Sequence, residues 1–278
     1  RGPIQSFHLA EGPGGFIEAL IGLRKCKEDV YTGMTILEDK LDPNIPGWKK
    51  SQKFLEENPN VHIETGADKT GNILKLENLL YCIEKYGSTM DVITGDGGFD
   101  FSYDFNNQER NIVKLIFAQV VYALCMQKYG GCFILKVFDC FTNATIDILA
   151  LLSSFYEKVY ITKPQTSRYA NSEKYIVCKN FLFESNADYS SKLIHVFRKM
   201  ISSEQYVERF LQIQHSLYFL TKLEEYNAVF GQQQIENIYY TLSFIEQRSK
   251  QDKIENIVRM NIQKCIAWCS KYSVPFHN

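Results

Sequence analysis

The chain has 278 residues, 45% of them apolar and 23% charged, a composition typical of a globular protein with a sizeable core. Its formal net charge of −1 argues against a protein that coats nucleic acid through bulk positive charge, so such a partner would need a local basic patch. Because no run of 18 uninterrupted apolar residues and no signal-peptide pattern occurs, we expect a soluble chain without a membrane partner.

The cysteines indicate the redox environment. Eight of them are scattered without C-x-x-C pairs, and several lie within apolar runs where they read as small buried side chains. This usage favours a reducing intracellular compartment. The histidines show no metal-ligand spacing with the cysteines, so we predict no metal site.

Strands and helices alternate over the first 180 residues. Strands are predicted at 4–10, 30–37, 61–65, 91–94, 132–138, 158–162 and 174–179, helices at 16–26, 77–86, 108–128 and 144–156, and a polar insertion at 38–60. The alternation predicts a mostly parallel sheet with helices on both faces. The final two strands are joined by an irregular loop instead of a helix, so the last strand is predicted to run antiparallel.

A glycine turn follows the first strand and precedes the first helix. It reads Glu11-Gly12-Pro13-Gly14-Gly15. A turn of this kind lets the backbone approach a ligand closely and presents helix amides to a negative group. A tight strand–helix connection that binds no ligand has the same sequence pattern. A dinucleotide-binding fingerprint is disfavoured because the residue three places after Gly14 is Ile17 rather than glycine.

Three charged residues are expected at one edge of the sheet. Asp96 follows the fourth strand, Lys136 lies near the end of the fifth, and Glu173 precedes the last strand. Ligands of such sheets bind at the carboxyl ends of the parallel strands, and the start of an antiparallel strand meets the same edge. The topology therefore predicts that Asp96, Lys136 and Glu173 converge beneath the glycine turn.

Six motifs in order resemble the FtsJ-like ribose 2′-O-methyltransferases, and within them the messenger-RNA cap methyltransferases of eukaryotes and large DNA viruses. The motifs are His-Leu-Ala-Glu-Gly-Pro-Gly-Gly-Phe at 8–16, Gly-Met-Thr at 33–35, Thr-Gly-Asn-Ile at 70–73, Gly-Asp-Gly-Gly-Phe at 95–99, Gly-Gly-Cys-Phe-Ile-Leu-Lys-Val-Phe-Asp at 130–139, and Lys-Pro-Gln-Thr-Ser-Arg-Tyr-Ala-Asn-Ser-Glu-Lys-Tyr-Ile-Val at 163–177. The resemblance implies a Rossmann-like methyltransferase domain over 1–182, followed by a helical C-terminal extension over 183–278.

The resemblance also implies the catalytic residues. The family carries a Lys-Asp-Lys-Glu tetrad, whose last three members match Asp96, Lys136 and Glu173, while no lysine lies upstream of Gly12 in this sequence. That first lysine is expected either before the given chain or not at all. A desolvated lysine can serve as a general base, so we assign this role to Lys136, with the two carboxylates orienting its amine.

S-adenosylmethionine (SAM) is the methyl donor that the resemblance implies. The turn from Glu11 to Gly15, which includes Gly12, Pro13 and Gly14, is expected beneath the methionine portion. Asn72 and Ile73 are expected to flank the adenine, and Asp96 to approach the methionine amino group. An asparagine carbonyl can accept a hydrogen bond from the adenine amine, as the family's more frequent carboxylate does.

The RNA-binding residues are also implied by the resemblance. Ser167, Arg168 and Asn171 match family positions that line the acceptor nucleotide, and Lys163 belongs to a local excess of positive charge nearby. Exposed lysines are also often simple solvated surface. The expected substrate is the first transcribed nucleotides of capped messenger RNA, and the expected location is the nucleus or, for a viral protein, a cytoplasmic replication site.

The C-terminal third reads as helical, with helices predicted at 205–223 and 235–248 and an apolar stripe at helical spacing over 254–266. Such stripes usually pack within the protein, although a surface for a partner protein or for cap binding is an alternative.

Two further functions stay open. One is methylation of ribosomal or transfer RNA, and the other is a non-catalytic scaffold that binds SAM or RNA.

Overall fold

The computed structural model describes residues 2–37, 47–48, 51–98, 104–246 and 251–276. Part of the predicted insertion at 38–60, the final residue of the 95–99 motif and the end of the helix predicted at 235–248 therefore lie outside the described residues. The described residues form seven strands: β1 (Gln5–Leu9), β2 (Val30–Met34), β3 (Val61–Glu64), β4 (Met90–Gly95), β5 (Gln127–Val137), β6 (Tyr156–Thr162) and β7 (Lys174–Phe181).

Helices connect or follow these strands. They are α1 (Gly15–Arg24), α2 (Gln52–Glu57), α3 (Leu76–Tyr86), α4 (Gln108–Met126), α5 (Asn143–Phe155), α6 (Ser190–Ser202), α7 (Leu217–Glu246) and α8 (Gln251–Tyr272). Within the described ranges, no helix combines the length and the apolar character needed to cross a membrane.

The seven strands form one sheet in the order β3-β2-β1-β4-β5-β7-β6. Neighbours from β3 to β5 pair in parallel, whereas β7 pairs antiparallel with both β5 and β6. A loop without a helix joins β6 to β7, so the chain turns back beside the strand it has just left. The predicted fold class, mostly parallel with an antiparallel last strand and a helical C-terminal region, is confirmed.

Helix α4 is the centre of the main apolar core. Its sequence is apolar on nearly every side, as expected for a buried helix, and its residues from Ile112 to Met126 are almost all buried, except Lys114. It packs against α3, α5, α6 and strands β4 and β5. The core thereby fixes the two strands whose carboxyl ends carry Asp96 and Lys136.

The prediction of a helix over 205–223 is wrong for its first part, because α7 begins at Leu217. Residues 205–216 have no helix, and the reason is the carboxylate of the buried Asp147 in α5. It accepts hydrogen bonds from the backbone amides of Phe210 and Leu211, and pairs with the side chains of Arg209 and His215. Amides held by a carboxylate are not available for a helical ladder.

The chain divides into two compact units. The first comprises residues 1–167 and 172–223, and the second comprises residues 168–171 and 224–278. Helix α6 and the first turns of α7 therefore belong to the unit that contains the sheet. The domain boundary expected between residues 182 and 183 remains a prediction.

Candidate active site

The glycine turn between β1 and α1 is tightly packed. A side chain at Gly12 would place its Cβ 2.6 Å from the carbonyl oxygen of Gly47, and Gly14 has a φ of 106°, which L-residues rarely adopt. Neither position tolerates a larger residue without movement of the backbone. The turn therefore brings main chain close to the edge where the strands end, and Pro13 and Gly15 are exposed there.

Glu11 is buried beneath this turn. Its Oε1 accepts a hydrogen bond of 2.5 Å from the amide of Phe16, in the first turn of α1, and its Oε2 accepts one of 3.4 Å from Thr94. Burial raises the pKa of Glu11 to about 8, and the nearby charge of Asp96 adds to the rise. A neutral or readily protonated carboxyl thus lies directly under the turn.

A chain of buried polar side chains continues from Glu11 into the sheet. The Thr94 hydroxyl lies 2.8 Å from Nδ1 of His8, and Nε2 of His8 lies 2.9 Å from the hydroxyl of Ser6. Burial lowers the pKa of His8 to about 3, so the imidazole is neutral. His8, the first residue of the motif at 8–16, is thus buried in the sheet and is linked to Glu11 through the hydroxyl of Thr94.

Asp96 and Lys136 form an ion pair at the carboxyl ends of β4 and β5. Lys136 Nζ lies 3.2 Å from Asp96 Oδ1, and the lysine side chain is 14% exposed. The geometry is that of a close charge pair rather than of a directed hydrogen bond. Burial raises the pKa of Asp96 above its usual value, and the charge of Lys136 only partly opposes that rise.

The loop after β4 is held in place from the core. The buried side chain of Gln119 accepts a hydrogen bond of 2.9 Å from the amide of Gly97, and its amide group donates to the Leu115 carbonyl within α4. The amide of Asp96 donates to the Leu9 carbonyl at the end of β1, at 3.0 Å. The backbone around Asp96 is therefore held by the end of β1 on one side and by α4 on the other.

Glu173 reaches the same edge because β7 runs antiparallel. Its neighbour Lys174 pairs with Val137, the last residue of β5, so the start of β7 lies beside the end of β5. The Glu173 carboxylate accepts a hydrogen bond of 3.1 Å from Ser167, and its charge raises the pKa of the nearby Tyr175. Its charge also contributes to the raised pKa of Asp96.

Tyr175 is a site residue that the sequence analysis did not single out. It lies opposite Lys136 in the β5–β7 pairing, and its ring lies 6.0 Å from that of Phe16. Burial raises its pKa, as do the charges of Asp96, Glu173 and Glu11, so the phenol stays protonated and able to donate. The two-residue spacing from Glu173 in an extended strand was the available signal.

The loop with Asn72 and Ile73 is ordered by its own polar side chains. Asn78 of α3 donates to Asp68 and to the carbonyl of Asn72, at 2.8 and 3.0 Å. Asn72 Oδ1 already accepts from the amide of Leu74 at 2.9 Å, which leaves one further lone pair. The side chain of Ile73 is 4% exposed and packs in the main core.

The four predicted RNA-binding residues fall into two groups. Lys163 and Ser167 belong to the unit that contains the sheet, and both contact Glu173. Arg168 and Asn171 belong to the second unit, where the amide of Asn171 donates to the Arg168 carbonyl in a turn. The structure brings the first group to the carboxylate.

An exposed aromatic ring follows β5. Phe141 is 64% exposed, and its amide donates to the buried carboxylate of Glu109, which also accepts from the amide and hydroxyl of Thr142. The backbone that presents the ring is therefore fixed.

Metal ligation has no comparable support, since the described part of the chain holds no cluster of three or more His, Cys, Asp or Glu residues suited to a metal ion.

Comparisons with known proteins identify the family of the chain. The family model for FtsJ-like methyltransferases matches residues 4–181. The chain is 32% identical over 187 residues to cap-specific mRNA (nucleoside-2′-O-)-methyltransferase 2 of Drosophila melanogaster, with 64% of this chain and 27% of the relative covered. It is 31% identical over 224 residues to cap-specific mRNA (nucleoside-2′-O-)-methyltransferase 1 of Dictyostelium discoideum, covering 74% and 29%. The chain thus spans less than a third of either relative.

Proposed function

Since the chain belongs to the FtsJ-like methyltransferase family, we propose that it transfers the methyl group of SAM to a ribose 2′-hydroxyl of RNA, in the first transcribed nucleotides of capped messenger RNA. The Lys136–Asp96 ion pair at the carboxyl edge of the sheet is the observation that carries this proposal. The named relatives, which are cap-specific messenger-RNA methyltransferases, support the choice of substrate.

The residues present fit SAM. The close-packed turn from Glu11 to Gly15 offers exposed backbone at the start of α1, and two carboxyl groups with raised pKa, those of Glu11 and Asp96, lie where an ammonium group would be neutralised. Asn72 and Ile73 would hold the adenine from the neighbouring loop. When bound, SAM supplies an electrophilic methyl group.

The chemistry of the acceptor falls to Lys136. A ribose hydroxyl is a poor nucleophile, so its proton has to leave as the new oxygen–carbon bond forms. Lys136 Nζ takes that proton when the amine is neutral, and the Asp96 carboxylate at 3.2 Å then stabilises the resulting ammonium. Glu173, held by Ser167, places a further carboxylate near this pair.

The RNA needs contacts beyond its reacting hydroxyl. Ser167, Arg168 and Asn171 are proposed to contact the RNA, and the exposed ring of Phe141, whose backbone is held by Glu109, is suited to stacking on a base. The exposed apolar residues of α7 and α8 are proposed to contact a partner protein. None of the eight cysteines, all of which lie in the described residues, is part of a disulfide, which supports a reducing intracellular location such as the nucleus.

The test is methyl transfer from radiolabelled SAM by the full-length protein and its Lys136→Ala variant. The substrates are a short capped RNA, the same RNA with its first ribose already 2′-O-methylated, and a ribosomal RNA fragment. Label on the unmethylated capped RNA alone, lost in the variant, supports the proposal. Label on the ribosomal fragment alone would favour structured RNA as substrate, and SAM binding without any transfer would favour a scaffold.

A further inference from the structure

The loop 163–173 joins β6 to β7 and ends at Glu173. Because β6 and β7 pair antiparallel, with Thr162 opposite Tyr175, the first and last residues of this loop lie side by side. Lys163 is the first of them and Glu173 the last. The loop therefore has a narrow neck at the edge of the active site.

Lys163 bridges this neck. Its Nζ donates a hydrogen bond of 2.7 Å to the backbone carbonyl of Glu173 and one of 3.3 Å to the hydroxyl of Ser167. The Ser167 hydroxyl in turn donates to Oε1 of Glu173 at 3.1 Å. One ammonium group thus holds both the backbone of Glu173 and, through a hydroxyl, its carboxylate.

We propose that Lys163 is a positioning residue, whose ammonium group closes the neck of loop 163–173 and, through Ser167, fixes the Glu173 carboxylate near the Asp96–Lys136 pair. This inference rests on the proposed function. It gives Lys163 a task that differs from a contact with an RNA phosphate, because a phosphate contact affects substrate binding, whereas positioning affects turnover.

The surroundings of Lys163 make its charge sensitive to pH. The charged groups that face it are Glu173, Lys174 and Asp139, the last two at the facing ends of β7 and β5. Burial lowers the pKa of Lys163 to about 8; Lys174 adds to this effect, and the two carboxylates oppose it. An arginine stays protonated throughout this range and can donate two parallel hydrogen bonds.

The experiment compares Lys163→Met and Lys163→Arg with the wild-type full-length protein on capped RNA. We expect Lys163→Met to lower kcat about tenfold or more, with KM for RNA and the affinity for SAM changed less than about threefold. Lys163→Arg should retain most of kcat. Above about pH 8 the wild-type kcat should fall as the ammonium group titrates, whereas that of Lys163→Arg should not.

A second variant tests the route through the hydroxyl. Ser167→Ala should lower kcat, and the double variant Lys163→Met/Ser167→Ala should be no slower than the slower single variant, because both changes break one chain of contacts. The matched control is Lys128→Met, which removes a half-exposed lysine paired with Asp91 at the opposite end of β5. This control should keep the wild-type kcat.

Three outcomes would overturn the inference. One is an unchanged kcat in Lys163→Met with a raised KM and a shallower salt dependence, which is the result for a phosphate contact. Another is a loss of SAM affinity and thermal stability in both Lys163 variants, which is the result for a purely structural lysine. Additive losses in the double variant are the third. Failure of the wild-type protein to methylate any RNA would instead count against the proposed function.

Discussion

At the scale of single residues, two carboxyl groups near the glycine turn, those of Glu11 and Asp96, have a raised pKa. Burial raises the pKa of both Glu11 and Asp96; the charge of Asp96 adds to the rise at Glu11, and the charge of Glu173 adds to the rise at Asp96. At high pH, ionisation of these buried carboxyl groups destabilises the ligand-free protein. A bound cation would stabilise the ionised carboxylates. This pair of carboxyl groups therefore agrees with the proposal that a cationic ligand binds here.

This cost predicts a pH-dependent effect of Glu11→Gln. The folded-state pKa of about 8 lies above the unfolded value, so the folded protein binds more protons between about pH 4.5 and 8 and loses stability as pH rises through this window. The glutamine removes that titration while its carbonyl still accepts from Phe16. Without ligand, we expect the variant's Tm relative to wild type to rise by about 3 °C between pH 6 and 8.5.

Differential scanning calorimetry at both pH values measures this change. A variant such as Glu18→Gln, in which an exposed carboxylate of α1 is replaced, serves as the control and should show the same relative Tm at both pH values. Equal Tm differences at the two pH values for Glu11→Gln would mean that Glu11 is already ionised in the folded protein.

Tyr122 gives a second prediction at this scale. Its hydroxyl is buried in α4 and has no hydrogen-bond partner among the residues that the structure describes. Since an unpaired buried hydroxyl costs roughly 1–3 kcal/mol, Tyr122→Phe should raise the free energy of unfolding by about 1 kcal/mol, measured by urea denaturation. Tyr31→Phe is the matched comparison and should lower it, because the Tyr31 hydroxyl donates to Asp29 at 2.8 Å. A destabilised Tyr122→Phe would show that this hydroxyl does have a partner.

At the scale of elements, the connection between β5 and α5 presents a ring to the active-site edge. Glu109 of α4 accepts from the amides of Phe141 and Thr142, so α4 fixes the backbone that carries the exposed Phe141. Because this backbone is already ordered, stacking of a base on the ring orders little further main chain. The same helix also holds the loop after β4 through Gln119.

Phe141→Ala tests the stacking role. Base–aromatic stacking is worth about 1–3 kcal/mol, so we expect KM for capped RNA to rise between about fivefold and a hundredfold, with the affinity for SAM unchanged. Tyr129→Ala is the control, because Tyr129 is 56% exposed near the other end of β5. An equal effect of both variants, or none for Phe141→Ala, would argue against stacking at this position.

The elements also show what local sequence determines. Strands β1 to β7 and helices α1, α3, α4 and α5 follow from periodicity, with shifts at their ends such as the start of β5 at Gln127 instead of residue 132. The segment 205–216 does not follow from periodicity, because its conformation is set by Asp147 more than 60 residues away in sequence. Contacts of that range leave no periodic signal in the segment itself.

At the scale of the whole molecule, the sequence predicted the edge at which Asp96, Lys136 and Glu173 lie, because strand order and direction determine it. It did not predict which groups contact one another there. The links from Lys163 through Ser167 to Glu173, and from Glu11 through Thr94 to His8, depend on side-chain rotamers and loop closure. These details arise from packing, which single-sequence patterns do not encode.

The division into two units predicts how the molecule responds to truncation. The sheet, the glycine turn and every residue assigned to SAM lie in the unit that ends at Leu223, whereas α8 in the second unit has no buried residue among those described. Removal of residues 224–278 should therefore expose little core. We expect the chain that ends at Leu223 to unfold cooperatively and to bind SAM within about threefold of the intact chain's affinity, measured by calorimetry.

Methyl transfer to RNA should fall much further, because Arg168 and Asn171 belong to the unit that loses its helices. A truncated chain that fails to bind SAM would show that the second unit is needed to form the cofactor site.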